Sequence, residues 1–288
     1  MKTRIIASII LLPIFFCILF VFPPYILTLL ISVISAIASY ELLNATKSIK
    51  NKRILVYTII AAIFTPIAVY LSALTPYAPL MQITLMLSIF FIFISLLMIE
   101  FVLTFRNTKA LEAGIQVKLH HILIALAAGI VIPYMLASLI SLRTMPQGHF
   151  LVLLPIIATI LTDSGAYFVG VSMGKTKAFP TISPNKTVEG YIGGIITGTL
   201  AMAIYGAILA STTTLNIIFP ALLLYGIIGA IVTGLGDLLF SLIKRKCEVK
   251  DYGNLIPGHG GILDRFDSMT LTAPTMYLLV TLLPAIIM

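Results

Sequence analysis

Long, nearly uncharged apolar runs constrain this chain more than any other feature. Windows of membrane-spanning length fall at roughly 5–22, 25–46, 54–74, 79–105, 119–142, 150–172, 188–210, 217–243 and 266–288. A helix rising 1.5 Å per residue needs about 20 apolar residues to cross a bilayer. Only helices and closed barrels satisfy their backbone polar groups there, and barrel strands alternate apolar with polar residues. These runs do not alternate. The expectation is an all-α, polytopic integral membrane protein with about nine transmembrane helices. Composition agrees: of 288 residues, 60% are hydrophobic and 10% charged, against about 25% charged in soluble domains. That excludes a soluble globular domain, a disordered chain and a disulfide scaffold. Cys17 and Cys247 supply no disulfide framework.

The basic residues test the span count. With nine spans, the N-terminus and every second loop share one side. Of the 18 Lys and Arg, 17 then fall on that side, and only Arg143 falls opposite. The positive-inside rule makes the rich side cytoplasmic, so the N-terminus is expected inside and the C-terminus outside. Lys2 and Arg4 before an apolar run imitate a signal peptide. No small-residue cleavage site follows before Pro23 and Pro24, so the first segment is expected to be a retained helix. The net charge of +8 is spread over five membrane-flanking segments, which argues against nucleic-acid binding.

The carboxylates divide the chain. Glu41, Glu100 and Glu112 lie early, while Asp163, Glu189, Asp237, Glu248, Asp251, Asp264 and Asp267 lie late. Residues 1–150 therefore read as transmembrane scaffold, and 151–288 as the catalytic helices with their polar loops, in one membrane domain. Asp163 and Asp237 interrupt apolar runs, where a charge costs about 2.5–3.5 kcal/mol on insertion scales and usually lines a cavity. Asp237, Ser241 and Lys244/Arg245 share one helix face by their i, i+4, i+7/i+8 spacing. A plainer reading, in which each Asp neutralises a buried lysine or caps a helix start, serves Asp163 equally well but accounts less well for Asp237 and Asp264 together.

The densest polar stretch runs from Lys244-Arg245-Lys246 through Lys250-Asp251 to His259-Gly260-Gly261-Ile262-Leu263-Asp264-Arg265-Phe266-Asp267. Glycines let backbone amides approach phosphate, and a helix N-terminus adds partial positive charge. Paired carboxylates suit Mg²⁺, which keeps water and phosphate oxygens as further ligands. A basic loop on anionic lipid explains Lys244–Lys246, but not the glycines and acids after it. A second polar stretch holds Ser183-Pro184-Asn185-Lys186-Thr187-Val188-Glu189-Gly190. Its glycine spacing fits neither a Walker loop nor a dinucleotide fingerprint. Lys186 is a candidate phosphate contact or a plain loop lysine. Gly190, Gly194 and Gly198 form a small-xxx-small ridge, for helix packing or a dimer face.

Ser241 to Arg245, Lys250-Asp251 and Pro257-Gly258-His259-Gly260-Gly261 through Asp267 together resemble the signature of phosphatidate cytidylyltransferases, also called CDP-diacylglycerol synthases. The stretch from Asp163-Ser164-Gly165 to Gly190 is similar to that family's second polar segment, with Ser164 where Thr is expected. The resemblance covers roughly residues 163–268. It implies transfer of a cytidylyl group from CTP to phosphatidate, Mg²⁺ dependence with K⁺ beside it, and a homodimer in the cell membrane. It puts the metal on Asp237 and Asp264. Lys186, Ser241, Lys244, Arg245, Arg265 and Asp163 are then expected at the substrates. Lys250, Asp251, His259 and Asp267 are expected to support the chemistry, in a site facing the cytoplasm.

Two other readings stand beside it. Another CTP-dependent lipid enzyme, such as an ether-lipid CDP synthase or a polyprenol kinase, could use the same residue types. A secondary transporter of an anionic solute would show repeated halves, yet residues 1–150 hold no counterpart of Asp163 or Asp237.

Overall fold

A computed structural model describes residues 17–48, 51–106, 117–255 and 260–287. Seven helices among these residues are long and apolar enough to cross a membrane. They are α1 (Pro24–Ala45), α2 (Lys52–Ala73), α3 (Ala78–Arg106), α4 (Leu119–Thr144), α5 (Gly148–Met173), α6 (Val188–Thr212) and α7 (Phe219–Lys246). Each overlaps an expected span. Most of the first expected span lies outside the described residues, although residues 17–20 at its end are helical. The last expected span is an eighth helix, α8 (Leu263–Leu282). It carries Pro274 and several threonines, and does not reach the apolarity of the other seven. It also ends earlier than expected, at Leu282 just ahead of Pro284, and Ile286–Ile287 pairs antiparallel with Asn216–Ile217. The chain is therefore helical with small strand pairs at loops.

The protein falls into two compact units, Met1–Pro146 with Val249–Arg265, and Gln147–Glu248 with Phe266–Met288. In the first, Ile54 and Ala61 of α2, Phe93 and Leu97 of α3, and Ile122 and Ala125 of α4 form a buried core. α4 carries a π-helical turn at Ala127–Val131, next to Pro133. Proline has no N–H and its ring crowds the carbonyl four residues back, so regular helix cannot continue there. Hydroxyls from neighbouring helices take up nearby carbonyls: Ser39 donates to Ala128 O at 2.5 Å, and Thr65 to Gly129 O at 3.5 Å. Arg143, the lone outlier of the charge distribution, is buried and donates from Nε to Leu19 O at 2.9 Å.

In the second unit the glycine ridge packs within the chain. Gly194 of α6 lies against Ala166 and Thr162 of α5, and Gly198 against Thr162 of α5 and Ala230 of α7. Small residues let such helices approach closely where water supplies no driving force. Elsewhere on α6, Ile192, Ile196, Leu200, Ile204 and Ile208 recur every fourth residue and are each more than half exposed. These residues form an exposed apolar ridge. α7 and α8 are joined by polar contacts: Thr233 and Thr272 hydroxyls are 2.9 Å apart, and Tyr225 donates to Leu283 O at 2.5 Å.

Candidate active site

A small hairpin between α5 and α6 fixes the first candidate residue. Strands β1 (Lys177–Phe179) and β2 (Ser183–Thr187) pair antiparallel, with Lys177 opposite Thr187 and Phe179 opposite Ser183. Thr187 caps α6, its Oγ1 accepting from Gly190 N at 3.1 Å. Glu189, in the first turn of α6, accepts from Lys175 N and Thr176 N at 3.1 and 3.2 Å. Side-chain oxygens thus satisfy the helix's orphan N–H groups and tether the incoming chain. Lys186 stands one residue before the cap, so its backbone is held on both sides.

The Lys186 ammonium is ion-paired with Asp237 Oδ2 and lies 5.6 Å from the Tyr191 ring centroid. Burial by itself lowers an ammonium pKa, but the Asp237 carboxylate and Tyr191 together outweigh it. The net shift is upward from 10.5, so Lys186 stays charged at neutral pH.

α7 positions the next group. Ser241 donates to Asp237 Oδ1 at 3.1 Å, across the i, i+4 spacing of one face. Lys244 Nζ lies 3.8 Å from Asp267 Oδ2, with both side chains nearly buried. Arg245 Nε donates to Ile182 O, beside the hairpin, at 3.2 Å. Asp163, on α5, is close enough to Asp237, Asp267 and Lys186 to feel their charges. The second unit therefore gathers Asp163, Lys186, Asp237, Ser241, Lys244 and Asp267.

A cavity of about 580 Å³ opens within this unit, inside the usual range of about 300–1,000 Å³ for ligand sites. Asp163, Asn185, Lys186 and Asp237 form its polar wall; Tyr167 and Val171 form an apolar one. Gly170, Gly190 and Gly234 also line it, so part of the wall is bare backbone. The hydroxyl of Thr162, a lining residue, is buried without a hydrogen-bond partner.

Asp264 belongs to the first unit, at the opening turn of α8. Its Oδ2 accepts from Tyr252 N at 2.8 Å and Gly261 N at 3.0 Å. Asp251 and Lys250 are exposed on the preceding loop, and Arg265 is exposed on the first turn of α8. His259 lies outside the described residues.

The donor chemistry fits a hard cation such as Mg²⁺. Asp163, Asp237 and Asp267 offer only oxygens. Among the described residues, no group of three or more His, Cys, Asp and Glu stands ready to hold a metal. Mg²⁺ at phosphate sites asks for less: one or two carboxylates, with water and phosphate oxygens completing its shell.

Sequence reading passes over four contributors. Tyr191 sits in an apolar helix where an aromatic reads as core. Thr187 and Glu189 were read as neighbours of Lys186, although Thr-x-x at a helix start is a capping signal. Glu41 reads in the sequence only as an early acid of the scaffold half, yet its carboxylate accepts from Ile262 N at 3.0 Å and Leu263 N at 2.8 Å. No local pattern connects positions so far apart.

Comparison with known proteins places these residues in context. Residues 2–283 match the model of a family described as the cytidylyltransferase family. A phosphatidate cytidylyltransferase of Bacillus subtilis (strain 168) is 50% identical over 121 residues, 42% of this chain and 44% of the relative. One from Staphylococcus saprophyticus is 43% identical over 137 residues, 48% of this chain and 51% of the relative. An uncharacterized protein of Escherichia coli (strain K12), YnbB, is 44% identical over 130 residues, 45% of this chain and 42% of the relative. The chain thus spans about half the length of the curated relatives it matches.

Proposed function

The chain belongs to the cytidylyltransferase family, and on that premise we propose that it transfers the cytidylyl group of CTP to phosphatidate, forming CDP-diacylglycerol and pyrophosphate. In this reaction a phosphate oxygen of phosphatidate attacks the α-phosphorus of CTP. The bond from that phosphorus to the bridging oxygen breaks, and the electron pair leaves with pyrophosphate. Little covalent work falls to side chains in such transfers; positioning and charge neutralisation dominate.

The observation that carries the proposal is the cavity of the second unit. Lys186, charged and fixed between the hairpin and the α6 cap, stands in its polar wall with Asp237, Asp163 and Asn185. Polyanions need a fixed cation, and the Lys186–Asp237 pair keeps that lysine protonated before substrate arrives. Lys244 supplies a second ammonium in the same unit, steered by Asp267. The apolar wall, with Tyr167 and Val171, suits a substrate that arrives from the bilayer.

Mg²⁺ is the proposed cofactor, with K⁺ beside it, and the sequence resemblance assigns the divalent ion to Asp237 and Asp264. Such an ion, when bound, neutralises phosphate oxygens and stabilises charge developing on them. The basic residues counted in the sequence support nine spans, an N-terminus inside and a site on the cytoplasmic side of the cell membrane. A homodimer is part of the same reading.

The test is turnover in membranes carrying the protein, supplied with radiolabelled CTP, phosphatidate and Mg²⁺. Label in a CDP-diacylglycerol band, lost with EDTA, is the expected result. No lipid-phase label with intact protein present would refute the phosphatidate assignment.

A further inference from the structure

We propose that Glu41 is a positioning residue for the reaction, holding the opening turn of α8 and the carboxylate of Asp264 in place from the N-terminal half of the chain. The proposal rests on the cytidylyltransferase reading for its functional part, and on geometry within the first unit for the rest.

Glu41 lies four residues before the end of α1 and is 4% exposed. Its two oxygens take consecutive backbone donors: Oε1 accepts from Ile262 N at 3.0 Å, and Oε2 from Leu263 N at 2.8 Å. Those N–H groups belong to the start of α8, where a helix has no internal partners for its first donors. The preceding donor, Gly261 N, goes to Asp264 Oδ2, which also accepts from Tyr252 N. Two carboxylates therefore take three successive donors at the opening of one helix. The charge-assisted bonds and the positive end of the helix dipole both favour this arrangement.

The surrounding chain is shaped around the Glu41 carboxylate. A Cβ at Gly261 would lie 2.5 Å from each of its oxygens, and its three nearest atoms would all belong to Glu41. A Cβ at Gly253 would also meet only Glu41 at close range. Neither glycine has a positive φ. Backbone conformation does not require glycine there; the acid does. Gly260, by contrast, has φ +82° and is glycine for conformational reasons.

A structural acid that merely closed a helix end would need one acceptor. Glu41 instead clamps two successive peptides with a planar group, which fixes the rotation of the turn as well as its position. Asp264 follows the second clamped peptide directly. Displacing a reacting group by about 1 Å costs on the order of a hundred-fold in rate, so the clamp has kinetic as well as structural consequence.

The test uses purified full-length protein with Glu41→Gln, Glu41→Ala, Gly261→Ala and the Glu41→Ala/Gly261→Ala pair. Melting is read without substrate, and kcat and KM for CTP are read separately. Glu41→Gln keeps the shape but offers one acceptor oxygen and turns an NH₂ toward a donor. It is expected to lower kcat by about ten-fold or more while KM for CTP moves less than about two-fold. Gly261→Ala is expected to lower the melting midpoint in the native background and to add no loss on top of Glu41→Ala. Additive losses would overturn the clamp. Unchanged kcat in Glu41→Gln would overturn the positioning role, even with lowered melting. If wild-type protein shows no turnover, the cytidylyltransferase reading fails, while the melting cycle still decides whether Glu41 holds the turn. If Glu41→Ala does not fold, Gly261→Ala in the Glu41→Asp background, which withdraws the carboxylate by one methylene, replaces the pair: a smaller loss there supports the clamp, and an equal loss overturns it.

Discussion

Lys186, on the β2 strand, and Asp237, in the body of α7, form an ion pair with side chains 25% and 27% exposed. Neither is fully wet nor fully buried, so under the proposed function the pair persists in the resting protein and exchanges partners when a phosphate binds. Removing one member leaves the other charge without its partner, and that asymmetry separates structural from catalytic roles.

Lys186→Met is expected to lower turnover by about a hundred-fold, the loss typical of one preorganised donor. Its stability cost should be about 1–3 kcal/mol, between exposed and buried pairs. The Lys186→Met/Asp237→Asn pair should recover most of that stability and none of the turnover. Chemical melting and the lipid-labelling assay check both halves. Recovered turnover in the double variant would refute a role for either charge in the reaction.

The upward shift of the Lys186 pKa sets a pH dependence. Its folded-state value lies above the unfolded 10.5, so the protonated lysine contributes stability fully below about pH 10.5. That contribution disappears as pH rises through the higher folded value. The wild-type protein should therefore show a steeper alkaline loss of melting temperature than Lys186→Met. Parallel alkaline profiles would contradict the pairing.

Asp264→Asn is expected to abolish turnover with membrane insertion and melting nearly intact. The Asn carbonyl oxygen can take the place of Oδ2, which accepts from Tyr252 N and Gly261 N, so the turn keeps its bonds while the charge is lost. Lys246→Ala, at the exposed end of α7, is the control and should change turnover by less than about two-fold. Near-normal activity in Asp264→Asn would remove that residue from any metal assignment.

Gly226→Ala probes the helix packing that shapes the second unit. A Cβ there would lie 2.6 Å from Thr199 Cα, a backbone atom that cannot rotate away. The α6 and α7 axes must separate, at a cost of about 1–3 kcal/mol. A melting midpoint equal to wild type would show that these helices are not in contact as described.

The apolar windows made seven spanning helices legible, because length and hydropathy alone decide them. The i, i+4 link from Asp237 to Ser241 was equally legible. The β1–β2 hairpin was not: Ser183-Pro184-Asn185-Lys186 carries no strand pattern, and its shape comes from the Thr187 cap and the Glu189 tether. Lys244 is expected at the substrates from its place in the polar stretch; its position 3.8 Å from Asp267 is a relation between helices that spacing cannot reveal. The glycine ridge read as packing or a dimer face, and its partners proved to be α5 and α7 of the same chain. Glu41 was invisible for the same reason at greater range, since its partners Ile262 and Leu263 are brought to it only by folding.

The bare stretches of the cavity wall carry an evolutionary consequence. Gly170, Gly190 and Gly234 already present the smallest residue there is, and a Cβ on Gly190 or Gly234 would meet Ala166 O or the Tyr191 ring below 3 Å. Mutation at these positions can only subtract room. Descendants of this protein could become choosier there by a single step, but a wider appetite would have to come from moving whole helices.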